Sequence, residues 1–379
     1  MYRIGFIIEQ ALGHITHGQN LRRFVDQDPS VEAQWGLPTR HSAGLARRLQ
    51  DYRSNWSLQA SLQARRMLGA MQRQSPPQAL FFHTQITATL APDWLGRIPS
   101  IVSLDATPRQ YDRLGDAYNH AAGPDWLERG KWWLSRRCFG LARHLVTWSE
   151  WTRQGLVHEY DVLPEKITVV PPGVDTLAFL PSKRRVDAAE PVRILFVGAD
   201  FERKGGRILL EGFRRLRQSV AVGPTLVEPA PNVELHVVTR AGLPPEPGVV
   251  VHTGLHPNDA RLRQLYGECD IFCLPTLADC LPMVLMEAGA AGLPLISTQL
   301  AAIPEIVQDG CTGLLVPRGD PVVLAQALGC LIADAPLRRA LGSGAQQLVR
   351  RQFDAQANSQ RLVALIKHVV DQDQSRQKP

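Results

Sequence analysis

Short apolar runs recur along the chain between longer stretches whose apolar residues return at three- and four-residue spacing, the pattern of strands alternating with helices. Runs at 3–8, 79–83, 100–104 and 144–148, then at 193–197, 233–239, 249–252, 270–274 and 293–297, predict strands. Periodic stretches at 41–73, 203–219, 259–267, 283–291, 320–332 and 335–350 predict helices. Such alternation builds βαβ units and parallel sheets, so the fold class is α/β. Pro171 to Asp175 and Pro181 to Arg185 interrupt the pattern, and a fresh strand opens near 192. The expected organisation is a doubly wound domain over 1–178, a linker over 179–190 acting as a hinge, and a second doubly wound domain over 191–352. The residues 353–379 then form a helix packing back on the first domain, and a tail. Ligands of such sheets bind beyond the carboxyl ends of strands, which directs the search to a cleft between the two domains.

Length and composition agree with this picture. The 379 residues suit two domains, and 44% hydrophobic against 21% charged residues exclude global disorder. The net charge of +6 comes from arginines scattered along the chain and does not indicate a nucleic-acid partner. The six cysteines form no CxxC pair, so buried free thiols are expected rather than disulfides or zinc. No run of about 18 apolar residues occurs, and a strand beginning almost at Met1 leaves no room for a signal peptide, so a cytoplasmic protein is expected. Between Arg40 and Arg73, seven arginines and one aspartate stand among Leu, Trp and Met. That stretch reads either as a solvated basic face or as a peripheral contact with anionic membrane.

Two segments carry candidate chemistry. Pro275 to Ser297 reads strand, turn, helix, strand. Pro282 suits the first helical turn, so the backbone of Cys280, Leu281, Pro282 and Met283 offers an anion site at a helix N-terminus. Asp279 precedes that helix, while Glu287 lies inside it among apolar neighbours and needs hydroxyl or cationic partners. The plainer reading makes Asp279 a partner of the helix dipole and Glu287 a satisfied structural carboxylate. Phe196 to Gly206 follows a strand and opens a helix, bringing Arg203 and Lys204 beside the glycines Gly198 and Gly205. Cations at a helix start oppose its dipole, so an anionic partner, such as a diphosphate, is expected there.

The amino-terminal half offers a looser set. Glu9 to Asn20 forms a Gly-containing loop entering a helix, without the GxGxxG of dinucleotide dehydrogenases. Gly13 lets backbone approach a ligand, and His14 and His17 share a helical face or serve as polar capping residues. His83 and Asp105 each end a strand at the rim of the cleft, although Asp105 also suits a turn. Tyr111 and the tryptophans Trp126, Trp132 and Trp133 are candidates for an acceptor side or for packing.

These motifs resemble the retaining glycosyltransferases of the GT-B architecture, the glycosyl transferases group 1. The resemblance rests on Asp279 and Glu287 with seven residues between them, where the family carries two acids, usually both Glu. It extends to the Leu281–Ala288 and Gly292–Thr298 segments, Ala302–Val307, Asp309-Gly310, Thr312–Pro317, Pro171–Asp175 and the Lys204-Gly205 step, and covers about 145 to 370. It implies two facing Rossmann-like domains with an interdomain cleft, and transfer of a hexose-type sugar from a nucleoside-diphosphate sugar to a hydroxyl of a glycan, lipid or small molecule. Lys204 and Arg203 would hold the diphosphate, Glu287 the ribose hydroxyls, and Asp279 with the 280–283 backbone the sugar and phosphates. Gly13, His14 and Gly198 would approach the donor, and His252, Gly254 and Leu255 its base. Asp105, Asp279, Lys204 and Arg203 are the expected catalytic set, with His17, His83 and Tyr111 toward the acceptor. Relatives often carry a His where Asp105 stands. No metal or other cofactor is expected, because cations and a helix N-terminus can neutralise the departing diphosphate. Two alternatives fit the same residues, a non-catalytic nucleotide-sugar-binding scaffold, suggested by Asp at 105 and 279, and a glycosyl phosphorylase.

Overall fold

Each half of the chain folds into a parallel sheet of six strands. The computed structural model describes residues 1–11, 13–39, 56–115, 123–179, 190–218 and 232–377. One compact unit holds the chain up to Gly173 together with residues from Ala355 on, and the other runs from Val174 to Asp354.

In the first unit β1 (Tyr2–Ile8) leads to α1 (His14–Val25) and β2 (Val31–Gly36), then to α2 (Trp56–Gln74) and β3 (Ala79–His83). Two short helices, α3 (Gln85–Ala88) and α4 (Pro92–Arg97), precede β4 (Ser100–Leu104). After it come α5 (Pro108–Asp112), α6 (Asp125–Leu141), β5 (His144–Thr147), α7 (Glu150–Tyr160) and β6 (Ile167–Val169). The second unit runs β7 (Val192–Val197), α8 (Gly206–Gln218), β8 (Val233–Val238), β9 (Val249–His252), α9 (Ala260–Glu268), β10 (Ile271–Leu274), α10 (Met283–Ala290) and β11 (Leu295–Thr298). It ends with β12 (Gly313–Val316), α11 (Pro321–Ala333) and α12 (Ala335–Gln352), after which α13 (Ala355–Gln377) returns to the first unit.

The inner strands β3, β4, β10 and β11 are buried along their whole length, and the alternation of β1, β3 and β4 divides the first unit's core in two. Ile4, Phe6 and Ile8 with Phe81 and Ile101 face Leu21 of α1 and Leu362, Val363 and Ile366 of α13. Ile7, Leu80, Phe82 and Val102 face the other way, onto Leu68 of α2, Phe139 of α6 and Leu156 of α7. Both sides covered by helices is what parallel strands require, and near-continuous apolar runs are the result.

The order β2-β1-β3-β4-β5-β6 reverses direction between β1 and β3, and the order β12-β11-β10-β7-β8-β9 reverses between β7 and β10. Loops diverge at such points and leave a crevice beyond the carboxyl ends of the strands. The segments after β1 and β3, and after β7 and β10, therefore frame each unit's candidate site.

Several expectations need correction. Strands β2, β6 and β12 were not anticipated; all three lie at a sheet edge or are short. Helix α8 starts at Gly206, so Arg203 and Lys204 stand in the turn before it rather than in its first turn. Pro282 is the N-cap of α10, with φ −71 and ψ 118, and the helix begins one residue later. Four cysteines are buried, but Cys311 and Cys330 are exposed. The residues 174–177 are tied to the second unit, where the Val174 N–H donates to the Phe353 carbonyl (2.9 Å) and Thr176 Oγ1 to Asp354 (2.6 Å). The linker residues 180–189 and the Arg-rich residues 40–55 lie outside the described residues. No single described helix is long and apolar enough to cross a membrane.

Candidate functional site

In the second unit, the turn after β7 is sewn to the loop after β10. The Leu277 N–H donates to the Arg203 carbonyl (2.8 Å), and the Arg203 guanidinium donates through Nη1 to the Ala278 carbonyl (2.8 Å) and through Nε to Asp200 (3.0 Å). Thr276 Oγ1 lies 3.2 Å and 3.1 Å from the carbonyls of Arg203 and Ala278. From behind, Thr298 Oγ1 donates to the Thr276 carbonyl and Ser297 Oγ to the Leu274 carbonyl, each at 2.7 Å. Gly205 permits this seam: its φ is +79, and a Cβ there would collide with the Pro275 carbonyl. Gly205→Ala should therefore lower the melting temperature by about 5 °C or more, since both strain and a backbone clash oppose it. An unchanged melt would remove the seam's structural importance.

This seam brings Arg203, Lys204 and Asp279 together. The Lys204 ammonium pairs with Asp279 Oδ2, and Arg203 Nη1 stands 4.0 Å from the same oxygen. Two cations converge on one carboxylate, and all three side chains are largely buried. Close by in sequence, the first amides of α10, those of Met283 and Val284, have no carbonyl a turn earlier within the helix. Gly198 is packed by Phe196 and the Lys204 stem, where a Cβ would crowd both.

The other expected donor contacts occupy separate places. Glu287, only 4% exposed, takes a hydrogen bond from the Tyr266 hydroxyl at 2.7 Å. Burial pushes its carboxyl up despite that donor. Tyr266 is the hydroxyl partner that Glu287 required, and nothing in the pattern of α9 marked it. His252 ends the edge strand β9 and lies 3.1 Å from His236, the rings stacked at 5.3 Å. Gly254 follows with φ +73 and open space around its Cα, next to half-buried Leu255.

The first unit holds a second cluster at its own switch point. The Glu9 N–H donates to the His83 carbonyl (2.5 Å), joining the ends of β1 and β3. The Glu9 carboxylate is buried, accepting from Thr84 Oγ1 (2.6 Å) and from the Trp56 indole. His14, the first residue of α1 after the N-cap Gly13, lies between two acids: Nδ1 is 3.4 Å from Glu9 and Nε2 is 3.3 Å from Asp105. Burial opposes charge on His14, but the attraction of Asp105 and Glu9 outweighs it and raises its pKa to about 10. One turn on, burial and the charge of His14 push His17 down to about 3, and His83 falls well below its ordinary value for the same reasons. His83 stacks on Trp148 (4.7 Å, 8°) and meets both other histidines edge-on.

Thus Gly13, His14, His17, His83 and Asp105 do come together, while Tyr111 stands on α5. The turn role weighed for Asp105 falls instead to Thr107, which caps α5 in a reciprocal bond pair with Gln110. Asp105 is the acid of the cluster with exposure left, at 23%. Glu9, Thr84 and Trp148 were not anticipated as part of it.

Comparison with known proteins places this arrangement. Residues 191–334 match the profile described as Glycosyl transferases group 1, and residues 24–177 match that of Glycosyltransferase Family 4. The chain belongs to the group 1 glycosyltransferases. Among curated relatives, the MMP alpha-(1->4)-mannosyltransferase of Mycolicibacterium hassiacum is 29% identical over 258 residues, 63% of this chain and 61% of that protein. The chain spans roughly half to three fifths of the length of the curated relatives it matches. Sucrose-phosphate synthase from Thermosynechococcus elongatus superposes with a TM-score of 0.73 at 14% identity, over 97% of this chain and 99% of that one. The Anabaena protein HepE, solved in complex with UDP and glucose, gives 0.68 at 16% identity, over 97% and 100%. The fold of this group 1 glycosyltransferase is accordingly GT-B, with two Rossmann-like domains. Its second matched segment contains Arg203, Lys204, Asp279 and Glu287, whereas the first begins after Glu9, His14 and His17.

Proposed function

We propose that this glycosyltransferase moves a hexose-type sugar from a nucleoside-diphosphate sugar to a hydroxyl of a glycan, lipid or small-molecule acceptor, with retention of configuration and without a metal ion. The observation that carries this reading is the convergence of Arg203 and Lys204 on the Asp279 loop, where the strand order reverses between β7 and β10. Breaking a glycosyl–phosphate bond puts charge on the departing diphosphate, and preorganised cations lower the barrier most when they are held in place beforehand. Arg203 is so held by Asp200 and the Ala278 carbonyl. Lys204, paired with Asp279, exchanges that carboxylate for phosphate, and Asp279 then accepts a sugar hydroxyl. The N-terminus of α10 adds its dipole. Glu287, with Tyr266 on one oxygen, offers the other to the ribose hydroxyls. His252, Gly254 and Leu255 meet the base.

In the first unit, Asp105 is the carboxylate available to a hydroxyl, with His14 Nε2 3.3 Å from its Oδ2. No carboxylate nucleophile is assigned, and transfer on the face of the leaving phosphate fits the residues better than a double displacement. The complex of HepE with UDP and glucose supports a nucleotide-sugar donor.

The test is a turnover assay with UDP-, GDP- and ADP-sugars across a broad acceptor panel, with and without EDTA, following the anomeric signal of the product by NMR. Transfer with retention, unaffected by EDTA, is the expected result. Binding of a donor without transfer or hydrolysis on any acceptor would overturn it in favour of a scaffold. Phosphate-dependent cleavage would overturn it in favour of a phosphorylase.

A further inference from the structure

Helix α6 turns its apolar side outward. Its inner face is closed by Ser135, Cys138 and Phe139, with Trp132 stacked toward Tyr160. On a helix, 126, 130, 133 and 137 fall on one line, with 127, 134 and 141 beside it. That line faces solvent: Trp126 is 68% exposed and Trp133 54%, and Leu127 and Leu134 are exposed next to them. Four of the ten large apolar side chains exposed among the described residues thus lie on this one helix. In an ordinary amphipathic helix of a soluble domain the outward stripe is polar.

The rest of the outward face is basic. Arg129, Lys131, Arg136 and Arg137 are all exposed, against the two carboxylates of Asp125 and Glu128. Glu128 is spent on the Gly123 N–H and Lys131 (2.9 and 2.8 Å). Arg137 stands 5.5 Å over the Trp133 ring, so cation and indole occupy one spot. Arg136, which also reaches Asp161 at 3.3 Å, and Arg109 both lie 5.4 Å from the Trp132 ring.

From this face we infer that α6 is a docking helix for an anionic phospholipid surface, lying in the plane of the interface with Trp126, Trp133, Leu127 and Leu134 among the headgroups. Indoles favour that depth, and guanidinium groups beside them meet lipid phosphates. A second copy of the chain fits less well, because a two-fold contact would set these arginines against their own counterparts. Helix α6 is a different stretch of sequence from Arg40 to Arg73, and the inference does not depend on the sugar-transfer reading.

Vesicle flotation of the full chain tests it, with phosphatidylcholine alone and with phosphatidylcholine containing phosphatidylglycerol. The protein should float with the anionic vesicles at least about tenfold more than with the neutral ones, since each basic residue near such a surface contributes about fivefold. Trp126→Ser with Trp133→Ser should abolish both the flotation and the blue shift of tryptophan emission on lipid addition. Arg129→Glu with Arg137→Glu should abolish the preference for anionic lipid. All four sites are exposed, and unchanged circular dichroism and melting temperature verify that the variants fold. Equal recovery on both vesicles, no recovery, or full binding by the tryptophan variant would overturn the assignment. So would a dimer by light scattering that the tryptophan substitutions dissociate.

Discussion

Lys204→Ala is expected to lower kcat/KM for sugar transfer by about 10³-fold, the loss seen when one preorganised donor to a developing anion is removed. Two effects combine here. The variant loses a cation from the diphosphate, and it leaves Asp279 with its negative charge directed at the same place, opposed among the described residues by Arg203 at 4.0 Å. The second effect separates catalysis from simple truncation. If the carboxylate repels the donor once Lys204 is gone, then Lys204→Ala combined with Asp279→Ala should bind donor more tightly than Lys204→Ala alone, although both remain slow. A double-mutant cycle on donor Kd and on kcat/KM measures this coupling. Arg203→Ala should act differently, because its guanidinium also holds the Ala278 carbonyl and Asp200. Its loss should loosen the 276–279 loop and lower the melting temperature as well as the rate. A Lys204→Ala enzyme within about threefold of wild-type turnover would remove this lysine from the reaction.

The contrast between what the amino-acid pattern disclosed and what it hid follows from where information is local. Strands β7 and β10 are flanked on both sides and covered on both faces, so Ile194–Val197 and Ile271–Leu274 read as unbroken apolar runs. Strand β2 is an edge: Glu32 is exposed and Val31, Ala33 and Trp35 are only half-buried, so its apolar signal falls near that of a loop. Strand β12, the other sheet's edge, was visible as a motif and not as a strand. The same division runs through the sites. Arg203, Lys204, Asp279 and Glu287 stand out because charges interrupt an otherwise apolar strand–turn–helix context. Tyr266 does not, since an aromatic residue on a helix is ordinarily core, and its role depends on Glu287, 21 residues away. Glu9 looked like any polar residue after a strand. Its partners Trp56 and Thr84 lie 47 and 75 residues along the chain, and only the topology makes them neighbours.

The histidine cluster should give the protein a stability maximum near neutral pH, with its two limbs assignable to two residues one turn apart. His14 has its pKa raised to about 10 from the ordinary 6.5, so it binds its proton more tightly folded than unfolded. Its contribution is complete below pH 6.5 and is lost as the pH rises toward 10. His17 is shifted the other way, to about 3, and binds no proton in the folded state at pH values where the unfolded chain does. It therefore destabilises progressively as the pH falls from 6.5, by about 2 kcal/mol at pH 5, each pH unit being worth about 1.4 kcal/mol. His83, faced by His14, His17 and Trp148, adds to the same acid limb. His14→Gln leaves Glu9 buried without its counter-charge, and breaking such a pair costs about 3–5 kcal/mol. Denaturant melts at pH 5, 7 and 9 check this. The deficit of His14→Gln relative to wild type should shrink from pH 7 to pH 9, whereas His17→Gln should gain on wild type from pH 7 to pH 5. Parallel profiles for either variant would show that the charge sits elsewhere.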